Sequence, residues 1–235
     1  MKLKVCGMKY TENMQQVANL NPDYLGFIFY EKSKRNFEGI IPELPNSIKK
    51  TGVFVNEHLE IVISLVEEYR LEAIQLHGDE SVDYIQKLKQ QLTINRELHL
   101  QENKTIKKKK NQHYISINEI EIIKTFGVND EFNFNILKPY LEVVDFFLFD
   151  TKGKERGGNG TKFEWKVLEK YPYPKPFFLS GGIGLEDLEP LKIIAKSNLP
   201  VYALDVNSKF ESKPGVKKVE DLEKFKNNVI TNGVK

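Results

Sequence analysis

A chain of 235 residues, 40% hydrophobic and 29% charged, with ten prolines and fifteen glycines, has the usage of an ordinary globular protein, which excludes collagen, coiled coil and intrinsic disorder. Lys and Arg outnumber Asp and Glu by only 35 to 33, so no large single-sign field draws the molecule to nucleic acid or anionic lipid, and a small-molecule partner is expected instead. The single cysteine, Cys6, cannot form an intrachain disulfide, no run approaches the ~20 apolar residues of a membrane span, and the basic start lacks the apolar stretch of a secretion signal; a reducing cytoplasm is the expected compartment.

Short apolar runs alternate with longer amphipathic segments, the pattern of a parallel sheet built through βαβ crossovers. Eight runs read as strands, at 3–8, 24–29, 52–55, 73–76, 122–128, 144–149, 177–180 and 201–206. Several carry β-branched or aromatic residues on both parities, as strands covered on both faces do. Between them the period becomes helical. Thr11 reads as an N-cap before Met14, Val17 and Ala18, and Ser81 as another before Tyr84, Ile85 and Leu88. Ile61, Val62, Leu65, Val66 and Tyr69 make one stripe, Val219, Leu222, Phe225 and Val229 another, and further helical stretches are expected at 163–168 and 185–194.

Eight strands, each followed by a helical segment, predict an α/β fold in which one (β/α)8 TIM barrel spans residues 1–235; an open doubly wound sheet is the alternative. Residues from about 92 to 120 show no clear helix or buried strand and read as an insertion between the fourth helix and the fifth strand. Such a connection lies on the N-terminal face of a barrel, remote from the reactive face. The lysine run at 107–110 reads as a solvated loop.

Reactive side chains of a barrel gather where strands end at the C-terminal face, and polar residues stand at those places here. Cys6 ends the first run, Arg35 and Asn56 follow the second and third, His77 ends the fourth and Asp150 the sixth. Ser180, Gly181 and Gly182 end the seventh, and Asp205, Asn207 and Ser208 the eighth. Singly each is ordinary: a buried cysteine is commonly a small hydrophobe, and an aspartate can cap a loop. Their coincidence at one rim favours a site. The glycine-rich segments at 157–161 and 180–184 precede helical stretches and can offer backbone N–H groups to a phosphate. Neither fits the nucleotide-binding G-x-x-x-x-G-K-[ST] pattern, and no G-x-G-x-x-G follows the first strand, so no nucleotide cofactor is indicated. His58, His77, His99 and His113 are scattered, which argues against zinc.

Taken in order, Lys4-Val-Cys-Gly-Met-Lys, Tyr24-Leu-Gly-Phe-Ile-Phe, Ser33-Lys-Arg, Gly52-Val-Phe-Val-Asn, Gln75-Leu-His-Gly-Asp-Glu, Leu148-Phe-Asp-Thr, Gly157-Gly-Asn-Gly, Ser180-Gly-Gly-Ile, and Leu204-Asp-Val-Asn-Ser-Lys-Phe-Glu with Pro214-Gly resemble phosphoribosylanthranilate isomerases, barrel enzymes of tryptophan biosynthesis. The resemblance covers nearly the whole chain outside 92–120. It implies an Amadori rearrangement of N-(5-phosphoribosyl)anthranilate to the 1-deoxyribulose 5-phosphate aminoketose, without metal or organic cofactor. One acid and one base must flank the ribose; by the family's pattern Cys6 is the base and Asp150 the acid.

An unperturbed thiol is mostly protonated at pH 7 and an unperturbed Asp mostly ionised, so each requires tuning or reacts as a minority form. The phenylalanine-rich run at 146–149 suggests a low-dielectric setting for Asp150. For Cys6 the sequence names no neighbouring cation. The resemblance further implies that Arg35 pairs with the anthranilate carboxylate, that Gly158, Gly181, Gly182 and Ser208 surround the phosphate, and that Asp205 meets a substrate hydroxyl or orders the site. His77 is placed with the substrate-binding residues, at the rim. Asn159 stands where the family commonly has Thr. The alternatives are a histidine-pathway aminoaldose isomerase and a catalytically silent phosphate-ligand binder. The assembly is expected to be a monomer or homodimer.

Overall fold

Lys4 lies beside Tyr24 of the second strand on one side and beside Asp205 of the last strand on the other, and this double pairing closes the sheet upon itself. The computed structural model describes residues 1–105, 120–151 and 164–231. Eight parallel strands run in chain order around the barrel: β1 (Lys2–Val5), β2 (Tyr24–Phe29), β3 (Lys49–Phe54), β4 (Ala73–Leu76), β5 (Glu121–Val128), β6 (Phe146–Thr151), β7 (Phe177–Leu179) and β8 (Val201–Val206). All eight expected strands form, and the pairing of β8 with β1 excludes the open sheet.

The outer layer is less regular than the alternation suggested. Helices α1 (Thr11–Ala18), α2 (Leu59–Tyr69), α3 (Val82–Thr105), α4 (Leu188–Ala195) and α5 (Val219–Lys226) follow β1, β3, β4, β7 and β8, whereas β5 and β6 lead into 3-10 segments at Phe134–Tyr140 and Trp165–Lys170. Behind β2 there is no helix, contrary to the expectation of one after every strand. Pro42 and Pro45 in that connection lack an N–H and push the residues before them to extended backbone. Phe37 covers the gap instead, with its ring centroid 5.1 Å from that of Phe27 and 5.6 Å from that of Tyr69.

Three local readings change. Thr11 is the first helical residue and not the cap, and its hydroxyl donates to the carbonyl of Ile40. Ser81 does cap its helix, accepting from the N–H of Tyr84 at 3.1 Å. On α2 the buried face is Val62, Ile63 and Val66, while Ile61 is exposed. The third change concerns residues 92–105, which continue α3 where no helix was expected; lysines 107–110 lie outside the described residues. The long polar helix lacked the apolar stripe by which helices are recognised.

The lower end of the barrel is filled by fully buried Tyr24, Ala73, Ile123, Leu148, Phe178 and Ala203, with Phe146 and Tyr202 packed against them. A register shift between β7 and β8 at Phe177/Phe178 lets Tyr202 join this floor, and its hydroxyl is 3.1 Å from that of Tyr24. Nearer the mouth, buried Lys124 of β5 donates to Glu80 at 3.1 Å and to the carbonyl of Gly78 at 2.8 Å. Glu80 also accepts from the N–H groups of Asn56 and Gly78, so one buried ion pair ties the loops after β3 and β4 to β5. Removing one partner of such a pair strands the other charge in a low dielectric. Lys124→Met is therefore expected to lower unfolding free energy by about 3–5 kcal/mol in urea titration; a loss below about 1 kcal/mol, the usual worth of an exposed pair, would reject this role.

Candidate active site

Side chains alternate along a strand, so residues two apart share the lumen. This parity puts Lys4 and Cys6 of the first strand inside, together with Gln75 and then His77 at the end of β4, Leu148 and then Asp150 of β6, and Ala203 and then Asp205 of β8. Above the hydrophobic floor these groups surround a cavity of about 800 Å³, part of it open to solvent. Cys6, Arg35, His77, Asp150, Asp205, Gly181, Gly182 and Ser208 all line it. Gly158, with Asn159, lies outside the described residues.

Cys6 is a buried free thiol whose N–H donates to Val206 at 2.9 Å as β1 ends. Its room comes from the neighbouring strand: a Cβ at position 26 would lie 2.8 Å from the sulfur, so Gly26 leaves the space that Sγ fills. Two residues earlier Lys4, fully buried, donates to Asp205 Oδ1 at 2.7 Å, and Ser180 donates to the other carboxylate oxygen at 3.2 Å. Burial pushes the Cys6 thiol above its ordinary value; the ammonium groups of Lys4 and Lys217 oppose this, and the Asp205 carboxylate adds to it. Burial alone would depress Lys4, but Asp205 and Cys6 outweigh it and hold the ammonium above its usual range.

Asp150 stands three strands from Cys6 around the wall and lines the same cavity. One carboxylate oxygen accepts from the N–H of Thr151 at 2.8 Å, and the other is 3.5 Å from Nε2 of His77. Nδ1 of that imidazole is 2.9 Å from the side-chain amide nitrogen of Gln75. With the amide as donor, Nδ1 accepts and Nε2 carries the hydrogen toward Asp150. The imidazole of His77 thus lies between Gln75 and Asp150. The expected phenylalanine surround of Asp150 is absent, because alternation turns Phe147 and Phe149 outward into the helix-facing core and leaves Phe146 at the floor; Leu148 is the apolar residue beneath the carboxyl on its own face.

Arg35 reaches the mouth from the helix-free loop after β2. Asn36 anchors that loop by accepting from the N–H of Tyr30 at 2.9 Å, and Phe37 donates back to the carbonyl of Ile28 at 2.8 Å. The guanidinium is paired with Glu211, on the first strand of a small antiparallel hairpin formed by β9 (Glu211–Lys213) and β10 (Val216–Lys217). Buried Lys217 donates to Glu211 and to the side-chain oxygen of Asn207, each at 2.7 Å. Burial pulls the Lys217 ammonium down to about 8 despite the carboxylate beside it. Burial alone would raise Glu211, but hydrogen bonds from Arg35 and the charge of Lys217 outweigh it and hold its carboxyl below the usual range. At the β7 end, Gly181 and Gly182 have φ of +97° and +68°, and a Cβ at 181 would fall 2.3 Å from the hydroxyl oxygen of Thr151, so a side chain is barred there twice over.

The chain matches the family model for N-(5'phosphoribosyl)anthranilate (PRA) isomerase over residues 3–118 and 107–228. The chain belongs to this isomerase family. It is 34% identical to the N-(5'-phosphoribosyl)anthranilate isomerase of Parabacteroides distasonis over 232 residues, covering 96% of this chain and 91% of that one. The crystal structure of phosphoribosyl anthranilate isomerase from Thermotoga maritima aligns with a TM-score of 0.72 at 28% identity, covering 97% and 98% of the two chains. A phosphoribosyl anthranilate isomerase in complex with reduced 1-(o-carboxyphenylamino)-1-deoxyribulose 5-phosphate aligns at 0.69 with 25% identity, covering 97% of each chain.

Four residues at or beside this candidate site were given no role by the sequence reading, although the first three stand in the motifs quoted above: Lys4, Gln75, Glu211 and Lys217. Lys4 and Gln75 carried a usable signal, since each is a polar residue in a short strand two places from a candidate, and alternation puts both on its face. Because Cys6 is the chain's only thiol, its titration can be followed directly by alkylation. The rate with iodoacetamide should still be rising beyond pH 9.0, the ordinary thiol value. Lys4→Met should move the midpoint higher, as it removes a cation and leaves Asp205 facing the sulfur; an unchanged or lower midpoint would contradict the electrostatic account.

Proposed function

We propose that this barrel isomerises N-(5'-phosphoribosyl)anthranilate with Cys6 as general base and Asp150 as general acid. The observation carrying the reading is that both groups line one cavity from strands well separated around the wall, so a bound pentose has one on either side. Asp150 gives a proton to the ring oxygen as the C1–O bond breaks, and the nitrogen lone pair forms the C1 iminium. Cys6 then takes the C2 proton, and those electrons return the iminium to a neutral enolamine. Its tautomerisation puts a proton on C1 and leaves the ketone at C2, so the step is redox-neutral overall.

His77 holds the acid through its Nε2 hydrogen, and Asp205 keeps Lys4 beside the thiol while facing the sugar hydroxyls. Arg35 takes the anthranilate carboxylate in a planar contact that a lysine would reproduce poorly. Gly181 and Gly182, at the β7 end, and Ser208, after β8, bind the phosphate through backbone and hydroxyl donors, with Gly158 assigned to the same group by the family pattern. The free thiol in the cavity fits a reducing cytoplasm, and we assign the protein there as a monomer or homodimer.

Cys6→Ala and Asp150→Ala should each remove nearly all turnover in a fluorescence assay of phosphoribosylanthranilate loss while circular dichroism stays unchanged. Retention of more than about a tenth of wild-type kcat by either variant would refute the assigned pair. The same assay separates an isomerase from a silent binder. For Arg35→Ala, KM should rise and kcat/KM fall; both staying at wild-type values would count against the carboxylate contact.

A further inference from the structure

The guanidinium of Arg35 is held edge-on by Glu211. Nε donates to Oε1 at 3.0 Å and to Oε2 at 2.9 Å, and Nη2 donates to Oε2 at 2.6 Å. The side chains are largely buried, Arg35 being 15% and Glu211 4% exposed, so the contact is shielded from solvent competition. Of the five N–H hydrogens of a guanidinium, this grip uses the Nε edge and leaves the Nη1/Nη2 end, and Nη1 makes no hydrogen bond among the described residues. That end alone has the paired, parallel geometry that accepts a second carboxylate bidentately.

The rest of the neighbourhood fixes the same pose. A Cβ at Gly7, whose φ is +75°, would lie 2.7 Å from Cδ of Arg35 and 2.7 Å from the side-chain oxygen of Asn207, so the arginine stem crosses bare backbone there. Glu211 is itself fixed by three donors, Arg35, Lys217 at 2.7 Å and the N–H of Gly215 at 3.0 Å. The charge count matters. Arg35 with Glu211 alone is neutral and offers an incoming anion no net attraction, whereas adding buried Lys217 restores one positive charge to the cluster.

We propose that Glu211 is a positioning residue for substrate carboxylate recognition: it locks Arg35 with its Nη1/Nη2 end presented to the cavity, and Lys217 offsets its charge so that the anionic aryl end of the substrate is still attracted. The inference rests on the proposed role of Arg35. Its energetic content is preorganisation, since an arginine already held in one rotamer loses less freedom on binding.

The test is binding of three ligands by calorimetry: the reduced product analogue 1-(o-carboxyphenylamino)-1-deoxyribitol 5-phosphate, the same molecule without its aryl carboxylate, and inorganic phosphate. Glu211→Gln should weaken the first about tenfold, the worth of roughly one charge-assisted hydrogen bond, and leave the other two within about twofold. Glu211→Asp, which keeps the charge opposite Lys217 but shortens the reach, should weaken the first to an intermediate degree; it carries the test if the Gln variant fails to fold.

In turnover the same variants should raise KM far more than they lower kcat. Adding Glu211→Gln to Arg35→Ala should cost nothing further. Equal weakening of all three ligands, or additive losses in the double variant, would show a merely structural role and overturn the inference. If Arg35→Ala loses the carboxylate preference but neither Glu211 variant does, the inference fails alone. If Arg35→Ala binds the first ligand as wild type does, the carboxylate reading fails and takes the inference with it.

Discussion

The pair formed by Lys4 and Asp205 joins the first strand to the last inside the lumen, and most of the site depends on it. An ammonium with no exposed surface is tolerable only where a carboxylate and good geometry compensate its lost hydration, and the 2.7 Å contact across the closing register provides both. Closure and chemistry therefore share one interaction. The contact that completes the barrel also fixes a cation beside the only thiol, and it holds Asp205 where Ser180 can reach its second oxygen.

A second chain of charges runs along the mouth from Arg35 through Glu211 to Lys217 and Asn207. Both chains bear on Cys6, since Lys4 and Lys217 each favour its thiolate against the burial that disfavours it. A sulfur wedged against Gly26 would otherwise be an inert core atom. The structure thus gives it the electropositive neighbours that the residues adjacent in sequence do not include, because both lysines arrive through folding: one by strand parity and one from a hairpin 211 residues downstream of Cys6, counting from 6 to 217.

Strand positions were legible because short β-branched and aromatic runs separated by amphipathic segments leave few other arrangements, and the rim of the candidate site was legible because most strand ends contribute a residue to one mouth. Cys6, His77, Asp150 and Asp205 needed only that rule. What stayed hidden depends on side-chain direction and distant pairing. Thr11 satisfied the composition of a cap while its hydroxyl went to Ile40, and residues 92–105 kept helical backbone without an apolar stripe. Phe147 and Phe149 looked like a shell for Asp150 until the pleat turned them to the other side of the sheet. Glu211 and Lys217 sit in a turn region whose Pro214-Gly215 marks a bend but says nothing of its partners.

The packed aromatic floor has a consequence for traffic. With Tyr24, Phe146, Phe178 and Tyr202 packed ring against ring across the lower lumen, the vessel is stoppered at its base. Whatever enters by the upper rim must depart by it, so incoming aldose and outgoing ketose share a single doorway.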